Sequence, residues 1–302
     1  MGLYVLGLDG GGTKTLAQAM NAEGTPLFRV GGGALNLNSE TPDRVRAVVR
    51  DILQQAGRQA GGPPAAVCIA AAGVSNPAAA QVLRAGAQDA GYAGPVQVTG
   101  DHMAALAGAL GRPEGLILIA GTGSICAGRT ADGREARSGG FGHLIDDEGS
   151  GYAMGRDVLR AVIEAWDGRG PETCLTKQVC ETLNVQDAAG IVSFVYAPEC
   201  TKRDIAALAR LLPQAAAADD AAALAIYRRA ARELARLAEA VARRLKLEQG
   251  ELALAGSALV NDAFLRQCLS QELTRLEPGL TAVLPRQDAA MGAALLAREM
   301  LR

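Results

Sequence analysis

Leu3-Tyr4-Val5-Leu6-Gly7-Leu8-Asp9-Gly10-Gly11-Gly12-Thr13-Lys14-Thr15 decides the reading of the chain: an apolar run ends in an aspartate, three consecutive glycines and two threonines. A strand would deliver Asp9 to a fixed point, and the side-chain-free Gly10, Gly11 and Gly12 would let backbone N–H groups approach a phosphate closely. Asp9 suits a magnesium ion or its water shell, Thr13 and Thr15 can donate hydroxyls, and Lys14 can neutralise phosphate charge. The spacing is neither Gly-x4-Gly-Lys-Ser/Thr nor Gly-x-Gly-x-x-Gly. Apolar residues resume at Leu16-Ala17, so the segment also reads as a β-hairpin turn, and the two readings are compatible.

Two further glycine turns follow apolar strands. Ala120-Gly121-Thr122-Gly123-Ser124 offers a second set of backbone donors, and two such loops facing one another across a cleft would grip a triphosphate. The third, Leu254-Ala255-Gly256-Ser257-Ala258, precedes a helix and could lie flat against an adenine ring. Around the first turn the pattern predicts strands over 3–8, 16–20 and 26–30, then a helix from Thr41-Pro42 to about 60. A strand over 65–71, a helix over 76–90, a strand over 95–98 and a helix from Asp101 to 110 complete a βββαβαβα lobe. The breakers Gly111-Arg112-Pro113-Glu114-Gly115 mark a boundary or hinge. Strand, glycine turn and strand then recur at 116–120 and 125–129, which reads as an internal duplication. Helices are expected over 150–168, 172–184, 201–212 and 219–246, strands over 252–255 and 281–284, and helices over 261–273 and from Gln287. In the longest helix Ala221, Leu224, Ala225, Tyr227, Ala231, Leu234, Leu237 and Val241 form the apolar stripe.

At 302 residues the chain exceeds what one hydrophobic core usually supports, so two lobes are expected. They are assigned to 1–113, with the C-terminal helix 287–302 crossing back to it, and to 114–286. With 37 glycines and 3% aromatic residues, the composition suits close-packed helices and tight turns. A net charge of −2 without a long basic run argues against a nucleic-acid partner. No apolar run reaches the roughly 18 residues of a membrane-spanning helix, and no signal-peptide pattern opens the chain. No membrane partner and a cytoplasmic location are therefore expected. Cys68, Cys126, Cys174, Cys180, Cys200 and Cys268 include no Cys-x-x-Cys clip and read as free thiols. His102 and His143 are too few for a histidine metal site.

The set Asp9-Gly10-Gly11-Gly12-Thr13-Lys14-Thr15, Gly121-Thr122-Gly123-Ser124 and Leu254-Ala255-Gly256-Ser257-Ala258 resembles the phosphate-1, phosphate-2 and adenosine elements of the sugar kinase and actin superfamily. Gly139-Gly140-Phe141-Gly142-His143-Leu144-Ile145-Asp146-Asp147-Glu148-Gly149-Ser150-Gly151 resembles the signature of N-acetylglucosamine kinases in the BadF/BadG/BcrA/BcrD ATPase family. The resemblance implies an α/β fold of two ribonuclease H-like, actin-like ATPase lobes with a nucleotide and sugar cleft between them. It implies ATP with magnesium as cofactors, and an amino sugar as acceptor at its 6-hydroxyl. Asp101, in Val98-Thr99-Gly100-Asp101, matches the catalytic base; the same carboxylate could cap the helix that starts there. Asn36 matches the sugar-binding asparagine, with Asn38 as its competitor, and Asp147 the carboxylate that holds sugar hydroxyls. Gly73, Thr122, Phe141 and Gly151 join them as sugar contacts, and Gly256 and Ser257 as nucleotide contacts. His143 reads as structural. Phe141 and Ala72 depart from the family pattern where the acetamido group is held, so glucosamine stays open as the acceptor beside N-acetylglucosamine. An ATP-driven iron–sulfur activator of a 2-hydroxyacyl-CoA dehydratase is the alternative from another class. A homodimer is expected.

Overall fold

The computed structural model describes residues 2–37, 40–74, 76–277 and 279–301. It opens with β1 (Tyr4–Gly10), β2 (Thr15–Asn21), β3 (Pro26–Gly32), α1 (Pro42–Ala60), β4 (Ala66–Ala71), α2 (Pro77–Asp89), β5 (Val96–Gly100) and α3 (Asp101–Leu110), the βββαβαβα order that the hydrophobic pattern predicts. These strands form one sheet in the order β3-β2-β1-β4-β5. β1 pairs antiparallel with β2 and parallel with β4, and β4 pairs parallel with β5.

Period-two alternation sorts the sheet's side chains. Tyr4, Leu6 and Leu8 of β1 join Val45, Val49 and Ile52 of α1 and Leu83 of α2 in one core. Val5, with Cys68 and Ala70 of β4, joins Met103, Ala104 and Ala107 of α3 and Ala293, Ala294 and Leu296 of α12 (Ala289–Glu299) in the other. The second face is built from small residues. A Cβ on Gly7 would run into the Ala294 backbone nitrogen, one on Gly292 into the Ala104 carbonyl oxygen, and one on Gly108 into that of Asp288.

The second sheet comprises β6 (Gly115–Ala120), β7 (Ser124–Arg129), β8 (Glu135–Gly139), β9 (Gly250–Ala255) and β10 (Leu280–Val283), in the order β10-β9-β6-β7-β8. Counted within each sheet, both read third, second, first, fourth, fifth. That shared order is the ribonuclease H-like arrangement, and it gives the duplicated strand–turn–strand pattern a structural counterpart. Between β8 and β9 lie α4 (Gly151–Trp166), α5 (Leu175–Leu183), α6 (Ala188–Val195), α7 (Lys202–Ala207), a 3-10 turn over Leu208–Leu211, α8 (Leu212–Ala217) and α9 (Ala221–Leu245). α10 (Ser257–Asn261) and α11 (Ala263–Leu276) follow β9.

The chain divides into two compact units. The first comprises Met1–Ile117, Gly128–Arg134 and Pro285–Arg302, and the second Leu118–Ala127 and Glu135–Leu284. In the second, α9 buries Ala223, Ile226, Tyr227, Ala230, Ala231, Leu234, Ala238 and Val241. Ala221 and Ala225 of the expected stripe are exposed, and Leu224 and Leu237 are half-buried. Alanine is small enough to sit on either face, so these two positions near the helix start say little about which side is buried.

Candidate active site

In the first unit, three parallel strands end level with one another. Gly10 is paired with Ala71, and Ala71 with Gly100. The residues that follow each strand therefore share the carboxyl edge of the sheet, where ligands gather in α/β folds. They are the Gly10–Gly12 turn, Ala72-Gly73 and Asp101.

The first glycine turn closes the β1–β2 hairpin, with Gly11 N–H donating to the Lys14 carbonyl at 3.0 Å. Thr13 and Lys14 are exposed. Thr15 is not: its buried Oγ1 donates to the Gly33 carbonyl at 2.6 Å, so this hydroxyl is spent on the next segment of chain. Leu35 N–H donates to the Gly11 carbonyl at 3.2 Å, and a Cβ on Gly10 would lie 2.7 Å from Leu35. A Cβ on Gly12 would sit 3.7 Å from Asn36 Nδ2. The structure thus brings Asn36 directly onto the turn. Asn38 lies outside the described residues.

Asp9 is half-buried on the small-residue face. Desolvation pushes its carboxyl above the ordinary range, and the charges of Asp101 and Asp288 add to the shift. Asp101 goes the other way. The His102 imidazole, with Nδ1 3.6 Å from Asp101 Oδ1, holds this carboxyl below the ordinary range against the effect of burial. Asp101 is the first residue of α3, whose N-cap is Gly100, and its Oδ1 accepts from the His102 backbone N–H at 2.9 Å. Its side chain is 52% exposed. Gly73 lies exposed in the turn after β4 with φ 77°.

Asp288 was not singled out by its sequence, where a carboxylate before an Ala-rich helix reads as an N-cap. It is the N-cap of α12, accepting from Met291 N–H at 2.9 Å. It also pairs with Arg29 at 2.8 Å, and Arg29 Nε donates to the buried Gln18 at 2.7 Å.

In the second unit, the remaining two glycine turns meet. A Cβ on Gly121 would be 4.0 Å from Ser257 N, and one on Gly256, where φ is 83°, would run into the Ala120 carbonyl. Ser257 is exposed. Ser124 N–H donates to Asp147 Oδ1 at 3.2 Å, and Ser124 Oγ to the Glu148 carbonyl at 2.8 Å. Helix α4 begins here, capped by Ser150. Its free N–H groups at Gly151 and Tyr152 donate to the carbonyls of Gly121 at 2.8 Å and Thr122 at 3.3 Å. Phe141 stands apart: its ring is 60% exposed, with the Arg137 guanidinium 4.9 Å from its centroid. His143 packs edge-on against Tyr152 at 4.7 Å, a structural contact.

The donor set fits a magnesium nucleotide. No group of three or more His, Cys, Asp or Glu that could hold a metal occurs among the described residues. Magnesium commonly needs only one or two carboxylates beside substrate phosphates and water, and Asp9 supplies one in a locally acidic setting.

Family profiles match the BadF/BadG/BcrA/BcrD ATPase family over residues 6–297. An N-acetylmuramic acid/N-acetylglucosamine kinase from Clostridium acetobutylicum is 33% identical, over 98% of both chains. Glucosamine kinase GspK from Vibrio cholerae is 33% identical over 63% of this chain and 65% of its own. Among solved structures, a protein provisionally named N-acetylglucosamine kinase from Chromobacterium violaceum superposes with a TM-score of 0.74 at 30% identity, over 98% of this chain and 99% of its own.

Proposed function

The chain belongs to the BadF/BadG/BcrA/BcrD ATPase family, and from that premise we propose that it is an ATP-dependent hexosamine kinase. It transfers the γ-phosphoryl group of ATP to the 6-hydroxyl of an amino sugar, N-acetylglucosamine before others. The observation that carries this reading is the level carboxyl edge of the first sheet. It puts an exposed, readily ionised Asp101 on the same sheet edge as the glycine turn on which Asn36 is docked, with one strand between them.

Phosphoryl transfer relies on placement and charge neutralisation more than on covalent chemistry. Asp101 takes the proton from the attacking hydroxyl; a carboxyl kept below its ordinary range is fully ionised at neutral pH. Asn36 and Asp147 orient the sugar, with Gly73, Thr122, Phe141 and Gly151 as further contacts. Gly10, Gly11, Gly12, Thr13 and Lys14 hold phosphate oxygens, as do Gly121, Thr122, Gly123 and Ser124, while Gly256 and Ser257 meet the adenosine. Asp9 holds magnesium through water, and the ion, when bound, neutralises charge on the phosphates.

A second reading, glucosamine as the acceptor, is favoured by the relative of that name and by Ala72 and Phe141, which depart from the family's acetamido-binding pattern. One assay separates the readings: ADP release measured on glucose, glucosamine, N-acetylglucosamine, N-acetylmannosamine and N-acetylmuramic acid, with and without magnesium. Magnesium-dependent release with kcat/KM highest for N-acetylglucosamine is expected. A higher value for glucosamine establishes the second reading. Release no faster with any sugar than with water overturns the kinase.

A further inference from the structure

We propose that the turn Gly121–Ser124 and the segment Asp147–Tyr152 move as one part, with Asp147 as the positioning residue through which a bound amino sugar sets the shape of the phosphate-binding turn. The proposal rests on the kinase reading above and adds to it a coupling between the two substrates.

Each residue of the turn is engaged by that segment. Gly121 and Thr122 give their carbonyls to the first N–H groups of α4, at 2.8 and 3.3 Å. Gly123 lies against the carboxylate itself, so that a Cβ there would be 2.8 Å from Asp147 Oδ2. Ser124, 3% exposed, uses its N–H on Asp147 and its hydroxyl on Glu148. The hydroxyl of a phosphate-turn serine is thereby committed to the loop that follows β8.

The two anchors differ in stiffness. Glu148, whose carbonyl takes the Ser124 hydroxyl, has its carboxylate held by Arg156 at 2.9 Å and Arg229 at 3.5 Å. Both arginines also reach Asp157, at 3.6 and 3.7 Å. Moving Glu148 would break its two ion pairs, with arginines that Asp157 also holds in place. Among the described residues, Asp147 makes no ion pair. It is 5% exposed and sits at φ 63°, in the left-handed region that disfavours a side chain. Its carboxylate's bond to Ser124 N–H helps to offset that strain. A sugar hydroxyl donating to Asp147 engages the same carboxylate, so any re-aiming of it is felt at Ser124 N–H and Gly123. By linkage, nucleotide on the turn must alter sugar affinity by the same factor.

The test is calorimetric titration of a non-hydrolysable ATP analogue into the intact protein, with and without saturating N-acetylglucosamine, and the reverse titration. In the wild type each ligand should change the other's Kd by the same factor, at least about 5-fold. Ser124→Ala keeps the backbone N–H but loses the tie to Glu148, and should weaken sugar binding although the serine is a nucleotide-turn residue. Asp147→Asn keeps the shape with a weaker acceptor, and Asp147→Gly removes both strain and carboxylate. Both should bring the coupling factor towards 1, and the glycine variant secures the test if the asparagine variant folds poorly. Wild-type ligands that bind independently, or a coupling unchanged in the variants, would overturn the proposal alone. Absence of binding by any sugar on the panel would overturn the kinase reading with it.

Discussion

Asp101 begins α3 with Oδ1 taking the His102 backbone N–H at 2.9 Å, and its carboxylate is still 52% exposed and open to an acceptor hydroxyl. Asp101→Asn should lower turnover by roughly 10² to 10⁴ while nucleotide and sugar Kd stay near wild type, the range for losing a general base. Near-normal turnover would reduce Asp101 to a helix-end residue. The neighbouring charges also set the pH response. Asp9 is raised by desolvation first, so as pH falls it takes up its proton before Asp101 does. Loss of activity on the acid side should therefore begin as a rise in KM for ATP, with kcat falling only at lower pH. His102→Ala removes the largest influence holding Asp101 low, leaving the backbone N–H bond in place, and should shift the kcat limb upward towards the ordinary carboxylate range. For stability, a depressed carboxyl favours the fold above its unfolded pKa, and this contribution is lost as pH falls through the folded value. A thermal melt across that range in wild type and His102→Ala checks the sign. Asp9 and Asp101 were legible because glycine-rich strand ends advertise themselves. Asp288 was not, since its charge acts across the fold, and the donation of Thr15 Oγ1 to Gly33 depends on a chain segment that sequence spacing does not place.

At the scale of elements, α3 and α12 illustrate what alanine and glycine do in this chain. The helices approach so closely that the Ala104 carbonyl fills the place of a side chain on Gly292. Gly292→Ala would raise helix propensity but force the pair apart. Overpacking of this kind costs roughly 1 to 3 kcal/mol, which should appear as a lower urea midpoint with an unchanged m-value. A midpoint at or above wild type would mean that the interface yields. Most strands and helices could be read from periodicity, because β1 and β4 carry long apolar runs and proline or threonine announces α1. The apolar pattern does not mark β8: Glu135-Ala136-Arg137-Ser138-Gly139 buries only its last residue and occupies a sheet edge. Nor does it mark α6, where only Ile191 is buried among the apolar residues and nothing periodic defines a face. Its start is fixed by the Asp187 cap, a bond that the apolar pattern does not contain.

For the whole molecule, the repeated strand order means that each unit has its own hydrophobic centre, and each centre holds a buried thiol. Cys68 lies in the first, with its thiol pushed up to about 12 by burial, and Cys126 in the second, raised by the same cause. Neither should react with iodoacetamide in the native protein at pH 8, while both should label in denaturant. Peptide mapping along a urea series then follows each unit separately. Gly292→Ala should move the Cys68 transition and leave that of Cys126 in place; equal shifts would show that the units melt together. The duplication is legible because the glycine turn recurs, and α12 joins the first unit as its sequence position suggests, whereas the inclusion of Gly128–Arg134 in that unit depends on contacts that spacing does not contain. The return of α12 has a consequence during synthesis. The second unit takes its last strand from Leu280–Val283, but the first lacks the helix that covers Gly7 and Gly108 until residues 289–299 have left the ribosome. Domains generally form in order of synthesis. Here the amino-terminal unit is the later one to be completed, and a chain stopped short of α12 would leave one side of its sheet covered by α3 alone.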